Sequence, residues 1–174
     1  MRIILTALFC AAALLAADIP RPMQRFLLPD SSGRDHDSNE YRGKVTLLEF
    51  MSTKCAHCAA FAGVLKAVEQ RYRTRVNIVS LVNPPDLPKD VTAFISAHGV
   101  DYPILLDQGR VAYAYIRRQA FDIPYLFVID STGQIRNEFE YNPTSVNIFE
   151  GDGLFPYIDK LMGASIAAPP PNKK

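Results

Sequence analysis

Cys55 and Cys58 stand three residues apart with Ala56 and His57 between them, a spacing that suits thiol chemistry. Before them, residues 45–50 form a compact apolar run of strand character. After them, Phe61, Val64, Leu65, Val68 and Tyr72 fall at i, i+3, i+4, i+7 and i+11, one face of a helix. The first cysteine therefore sits where a buried strand gives way to a helix. A sulfur there meets backbone N–H groups without helical partners and the positive end of the helix dipole, and both favour thiolate. The short spacing lets the second sulfur attack any mixed disulfide that the first one makes. A disulfide closing so small a loop would restrict the unfolded chain by only on the order of 2 kcal/mol, so the pair is a poor staple and a better reactive group. Zinc would need about four ligands, and there is no second cysteine pair. Covalent haem attachment would need His directly after the second cysteine, where Ala59 stands. Dithiol–disulfide redox chemistry is the reading that fits, with neither metal nor cofactor required.

Other residues near the pair carry chemistry of their own. An imidazolium at His57 would favour the Cys55 thiolate and with it the reduced form; the alternative is a neutral, exposed ring without effect. Lys54 would act on Cys55 in the same electrostatic sense, or is simply a solvated surface lysine. Glu49 lies six residues before Cys55 in an otherwise apolar strand, and alternation puts it on the side of Val45 and Leu47. A carboxyl there is desolvated, its pKa is raised, and it can relay a proton for Cys58; the alternative is a half-exposed carboxylate at the strand end. Ile123-Pro124 stands just before another strand, where proline also serves ordinary turns. His36 and His98 fall in loop and helix-end contexts and receive no role.

The elements that must hold these residues follow from periodicity and punctuation. Residues 26–28 read as a short strand leading into the turn Pro29-Asp30-Ser31-Ser32-Gly33. Strands are expected at 45–50, 76–82 and 102–106, helices at 58–72, 89–98 and 111–118. A hairpin follows, with strands at 125–130 and 134–139 around Ser131-Thr132-Gly133, and a last helix at 155–162. Strands alternating with helices and then a hairpin imply an α/β sandwich with a mixed sheet. At 174 residues, 48% hydrophobic, the chain suits one domain with a real core. Residues 1–17 have the order of a secretory signal: Arg2, an apolar run from Ile3 to Leu15, then Ala16-Ala17. The run is shorter than the roughly 18 residues of a spanning helix, and an uncleaved anchor is the alternative. The domain is then 18–163, with a disordered Pro/Lys tail over 164–174. Cleavage removes Cys10, leaving Cys55 and Cys58 alone in a compartment where disulfides persist. It also takes the net charge from +1 to zero, which offers nucleic acid no electrostatic footprint.

With these residues in hand, the chain resembles the thioredoxin superfamily, and within it the exported TlpA/ResA-like branch. Residues 26–33 and 41–45 are similar to that branch's N-terminal hairpin and first core strand, 47–55 to the strand that delivers the active site, and 121–133 to the cis-proline loop and the strand after it. The segment 83–106 resembles the branch's central helix–strand insertion. The resemblance implies a three-layer α/β/α thioredoxin fold and an enzyme that exchanges disulfides with proteins in the periplasm or an equivalent exported compartment. It implies Cys55 as nucleophile, Cys58 as resolving thiol and Glu49 as the buried acid. It also implies a cis Ile123-Pro124 bond whose Ile123 backbone pairs with substrate, with Lys54 beside it. A monomer working on protein thiols, with a membrane dithiol as electron partner, completes the expectation. His57, where many relatives have Pro, resembles DsbA-type oxidases and disulfide isomerases. Lys54 replaces the usual Trp, the chain has no Trp at all, and Met51 replaces a common aromatic. Two other functions compete. A peroxiredoxin-like thiol peroxidase is suggested by Ser52-x-x-Cys55, although the proline expected a few residues earlier is absent. A metal or copper carrier would use both cysteines and a histidine.

Overall fold

The structure, a computed structural model, describes residues 19–167. The expected leader and the end of the expected tail lie outside the described residues. Strands β1 (Arg21–Pro22), β4 (Val45–Met51), β5 (Val76–Val82), β6 (Ile104–Leu106), β7 (Tyr125–Ile129) and β8 (Gln134–Glu140) form one sheet in the order β1-β8-β7-β4-β5-β6. The pairs β4–β5 and β5–β6 are parallel; β4–β7, β7–β8 and β1–β8 are antiparallel. Every residue of β4 and β7 is buried, as strands covered on both faces must be. A separate hairpin, β2 (Leu27–Pro29) with β3 (Asp35–Asp37), precedes them.

Helices α1 (Ala56–Tyr72), α2 (Pro88–His98), α4 (Val146–Phe149) and α5 (Leu154–Ala167) cover one face of the sheet. Helix α3 (Arg110–Ile116), with Met23, Phe26 and Tyr41 from the N-terminal segment, covers the other. The alternation of β4 sorts its side chains between these layers: Val45, Leu47 and Met51 pack with Cys58 and Phe61, while Leu48 and Phe50 pack with Tyr115 and Phe127. The three-layer mixed sandwich is the architecture expected from the sequence.

Local chemistry explains the boundaries. Helix α2 opens on Pro88 and stops at Gly99 in the left-handed region, φ 59°. The two hairpin turns share one device, an aspartate ahead of Ser-Ser-Gly or Ser-Thr-Gly. Asp30 Oδ1 accepts from Ser32 N–H at 2.8 Å and Arg34 N–H at 3.1 Å, and Asp130 Oδ1 accepts from Thr132 N–H at 2.8 Å and Gln134 N–H at 3.0 Å. The differences from expectation are confined to ends and short pieces. Strand β6 begins at Ile104, because Pro103 has no N–H to give the ladder. Helix α3 ends at Ile116, before Arg117 at φ 60°. Helix α5 runs on to Ala167, past the boundary expected at 163. The two-residue β1 and the single turn of α4 are too short for a periodicity to show.

Candidate active site

Sheet register assembles the site. Met51 ends β4 beside Val82 at the end of parallel β5, and Phe50 pairs with Tyr125 at the start of antiparallel β7. The segments that follow β4, follow β5 and precede β7 therefore meet at one edge. They are Ser52–Cys55, the loop Asn83-Pro84-Pro85-Asp86, and Ile123-Pro124. The Ile123–Pro124 peptide bond is cis, as expected.

Cys55 is the N-cap of α1, with extended backbone at φ −86° and ψ 117°. Its sulfur accepts from the Cys58 N–H at 3.2 Å and faces the Ile123 carbonyl at 3.7 Å. A sulfur in the cap position satisfies an N–H that the helix leaves unpaired. Cys55 is half-buried, whereas Cys58, one turn in, is 0% exposed; both are free cysteines. Burial first, and then the charge that Glu49 would carry, push the Cys58 thiol far up.

Glu49 lies beneath the pair and is 1% exposed. One carboxylate oxygen accepts from the Ser80 hydroxyl at 2.5 Å, and the other is buried without a partner. Burial pushes its carboxyl up to about 7, against the opposing pull of the Ser80 hydrogen bond. Ser80 sits directly opposite Glu49 in the β4–β5 register. Tyr102, with its hydroxyl buried, belongs to the same surroundings: burial and then Glu49 push its phenol up.

The remaining expected residues divide. Lys54 is exposed, with its backbone N–H donating to Ser52 Oγ at 3.3 Å. His57 is also exposed, but its ring stacks on Tyr141, centroids 4.2 Å apart and planes 23° from parallel. Cys55 thus meets both the Cys58 backbone and the Ile123 carbonyl, Glu49 is buried on the side of β4 that packs Cys58, and His57 stacks on Tyr141.

Several site features are not visible in the sequence. Asp86, 7% exposed, accepts from the Thr53 backbone N–H at 3.0 Å and from the Thr53 hydroxyl, which ties the loop after β5 to the loop carrying Cys55. A groove of about 540 Å³ opens where the segments after β4, after β5 and before β7 meet, walled by Met51, Pro84, Pro85, Phe121 and Ile123; Asn83, whose Oδ1 is buried without a partner, lines it too. Ser80 alone had a legible sign, a polar residue within an apolar strand.

Among known proteins, the AhpC/TSA family matches residues 19–138 of the chain. The thiol-disulfide oxidoreductase ResA of Geobacillus thermodenitrificans is 30% identical over 112 residues, 64% of this chain and 63% of that protein. The thioredoxin-like protein YneN of Bacillus subtilis is 24% identical over 114 residues, 64% and 65% of the two chains. The chain thus spans a little under two thirds of the length of these curated relatives. Among solved structures, a secreted disulfide oxidoreductase of Mycobacterium tuberculosis, described as homologous to E. coli DsbE, superposes with a TM-score of 0.61. It is 21% identical, over 78% of this chain and 96% of that one. A thioredoxin-family thiol:disulfide interchange protein of Chlorobium tepidum superposes with a TM-score of 0.62 at 19% identity, over 80% and 98%. The shared fold is the thioredoxin fold.

Proposed function

Since the chain belongs to the AhpC/TSA family, we propose that it is a thiol–disulfide oxidoreductase of the TlpA/ResA-like kind, exchanging disulfides with protein substrates through Cys55 and Cys58. One observation carries the reading: a half-exposed sulfur caps α1 while the second cysteine lies fully buried one turn behind it. The outer thiol can meet a protein, and the inner one can meet only Cys55.

The exchange balances as follows. Cys55 thiolate attacks a substrate disulfide, forms a Cys55–substrate S–S bond and expels the other substrate sulfur as thiolate. Cys58, losing its proton, attacks Cys55 Sγ, forms the Cys55–Cys58 disulfide and expels the second substrate sulfur. Two electrons pass to the substrate, and the reverse sequence oxidises a substrate dithiol. Glu49 serves as the base that takes the Cys58 proton, since a carboxyl held near neutrality can both accept and return one. The Ile123 backbone, facing Cys55, pairs with an extended substrate segment, while Lys54 and the groove walls flank it. Export of the domain is part of the proposal, supported by the leader-like order of residues 1–17.

Trapping tests the assignment. Cys58→Ser is expected to accumulate mixed disulfides with protein substrates on non-reducing gels, and Cys55→Ser is not. Equal trapping by both variants would overturn the roles given to the two thiols. Peroxide consumption by the native chain at a rate exceeding disulfide exchange would favour a thiol peroxidase instead.

A further inference from the structure

Tyr141 touches both the Pro124 loop and the first turn of α1. Its backbone N–H donates to the Pro124 carbonyl at 3.1 Å, which fixes it to the loop that carries Ile123. Its ring lies on the His57 imidazole at 4.2 Å. The same ring packs on Phe149 at 5.5 Å, and Phe149 packs edge-on against Phe61 of α1 at 5.0 Å. Phe61 and Phe149 are both buried in the core. A row of four rings therefore runs from the core to the surface and ends on the histidine between the two cysteines. Left to itself, a side chain on the first turn of a helix, exposed as His57 is, would move among rotamers in solvent. Stacking on a ring that is itself anchored at two points removes that freedom.

We propose that Tyr141 is a positioning residue for the dithiol: it holds His57 on its own ring, which its backbone ties to the Pro124 loop, and so fixes the redox poise of the Cys55–Cys58 pair. The inference rests on the oxidoreductase reading above. A mobile imidazole presents Cys55 with an averaged, solvent-screened charge or hydrogen-bond donor, whereas a clamped one presents a constant field. Whatever favours the Cys55 thiolate favours the dithiol over the disulfide. Tyr141 thus acts on sulfur only through His57, and its effect disappears when the imidazole is absent.

The test equilibrates the full chain with glutathione. The Cys55–Cys58 disulfide and two glutathione thiols give the dithiol and one glutathione disulfide, with two electrons and two protons passing to the protein. Tyr141→Ala is expected to lower the equilibrium constant for dithiol formation by up to about threefold, since only the part of one aromatic contact that differs between the two redox states counts, or at most about 14 mV for a two-electron couple. Tyr141→Phe keeps the stack and should match the native chain. Tyr141→Leu keeps apolar packing on Phe149 without a flat face, so it should resemble Tyr141→Ala even if the smaller variant folds poorly. In a His57→Ala background neither Tyr141→Ala nor Tyr141→Leu should change the constant further. No shift in the native background, a shift of opposite sign, or an equal shift in both backgrounds would overturn the proposal. A native chain whose two thiols never equilibrate with glutathione would instead defeat the oxidoreductase reading on which it rests.

Discussion

Glu49 keeps a carboxyl where water does not reach, and its protonation ties stability to pH. Its folded pKa of about 7 lies above the ordinary 4.5. Between these values the folded chain holds a proton that the unfolded chain has released, so stability falls as pH rises through that window. The stability is intact below pH 4.5, and by pH 7 most of it is lost. Glu49→Gln keeps the shape and removes the titration. It should raise stability at pH 8 by up to about 3 kcal/mol, with little change at pH 4.5. Urea unfolding at the two pH values measures this, and a gain of equal size at both would contradict the buried-acid account. The same substitution should slow disulfide exchange and flatten its pH profile near neutrality. Here the sequence was informative. A lone acid in an apolar strand, on the side of Leu47, is legible as a buried carboxyl. Its hydrogen bond to Ser80 is not, because that depends on the register between β4 and β5.

The elements contribute by where they end. Long apolar runs made β4, β5 and β7 recognisable, and the face of α1 followed from its repeat of Phe61, Leu65, Val68 and Tyr72. The loop after β5 could be read only as proline-rich. Its Asp86 finds Thr53 across 33 residues, a contact with no local sequence signature. Tyr141 escaped for the same reason, since it lies one residue beyond β8 and acts on a helix far earlier in the chain. Asp86→Ala would leave the Thr53 N–H and hydroxyl without their acceptor. A loss of about 1–3 kcal/mol is expected, together with slower exchange from a less ordered Cys55 loop. Equilibrium unfolding and stopped-flow exchange would report both, and a variant with native stability and native rate would show that the Asp86 tie does not hold the site.

At the scale of the whole molecule, the mixed sheet with helices on both faces brings three sequence-distant segments to one edge around Cys55. The alternation of strands and helices, the hairpin and the two turn motifs made this architecture legible. The short pieces, β1 and α4, were hidden because neither is long enough for a periodic pattern. Of the site, the dithiol, Glu49 and the cis-proline loop were visible as residue types at telling positions, while the groove and the stack on His57 exist only once the chain is folded. The central claim is that Cys55 and Cys58 form one two-electron couple. Its most direct measurement equilibrates the native chain with glutathione buffers of graded ratio, alkylates the remaining thiols, and weighs the fragment that contains both cysteines. The expected result is a single transition in which the two thiols disappear together, with no lasting population carrying one. Two thiols that stay free across the series, or that end separately capped by glutathione, would contradict it.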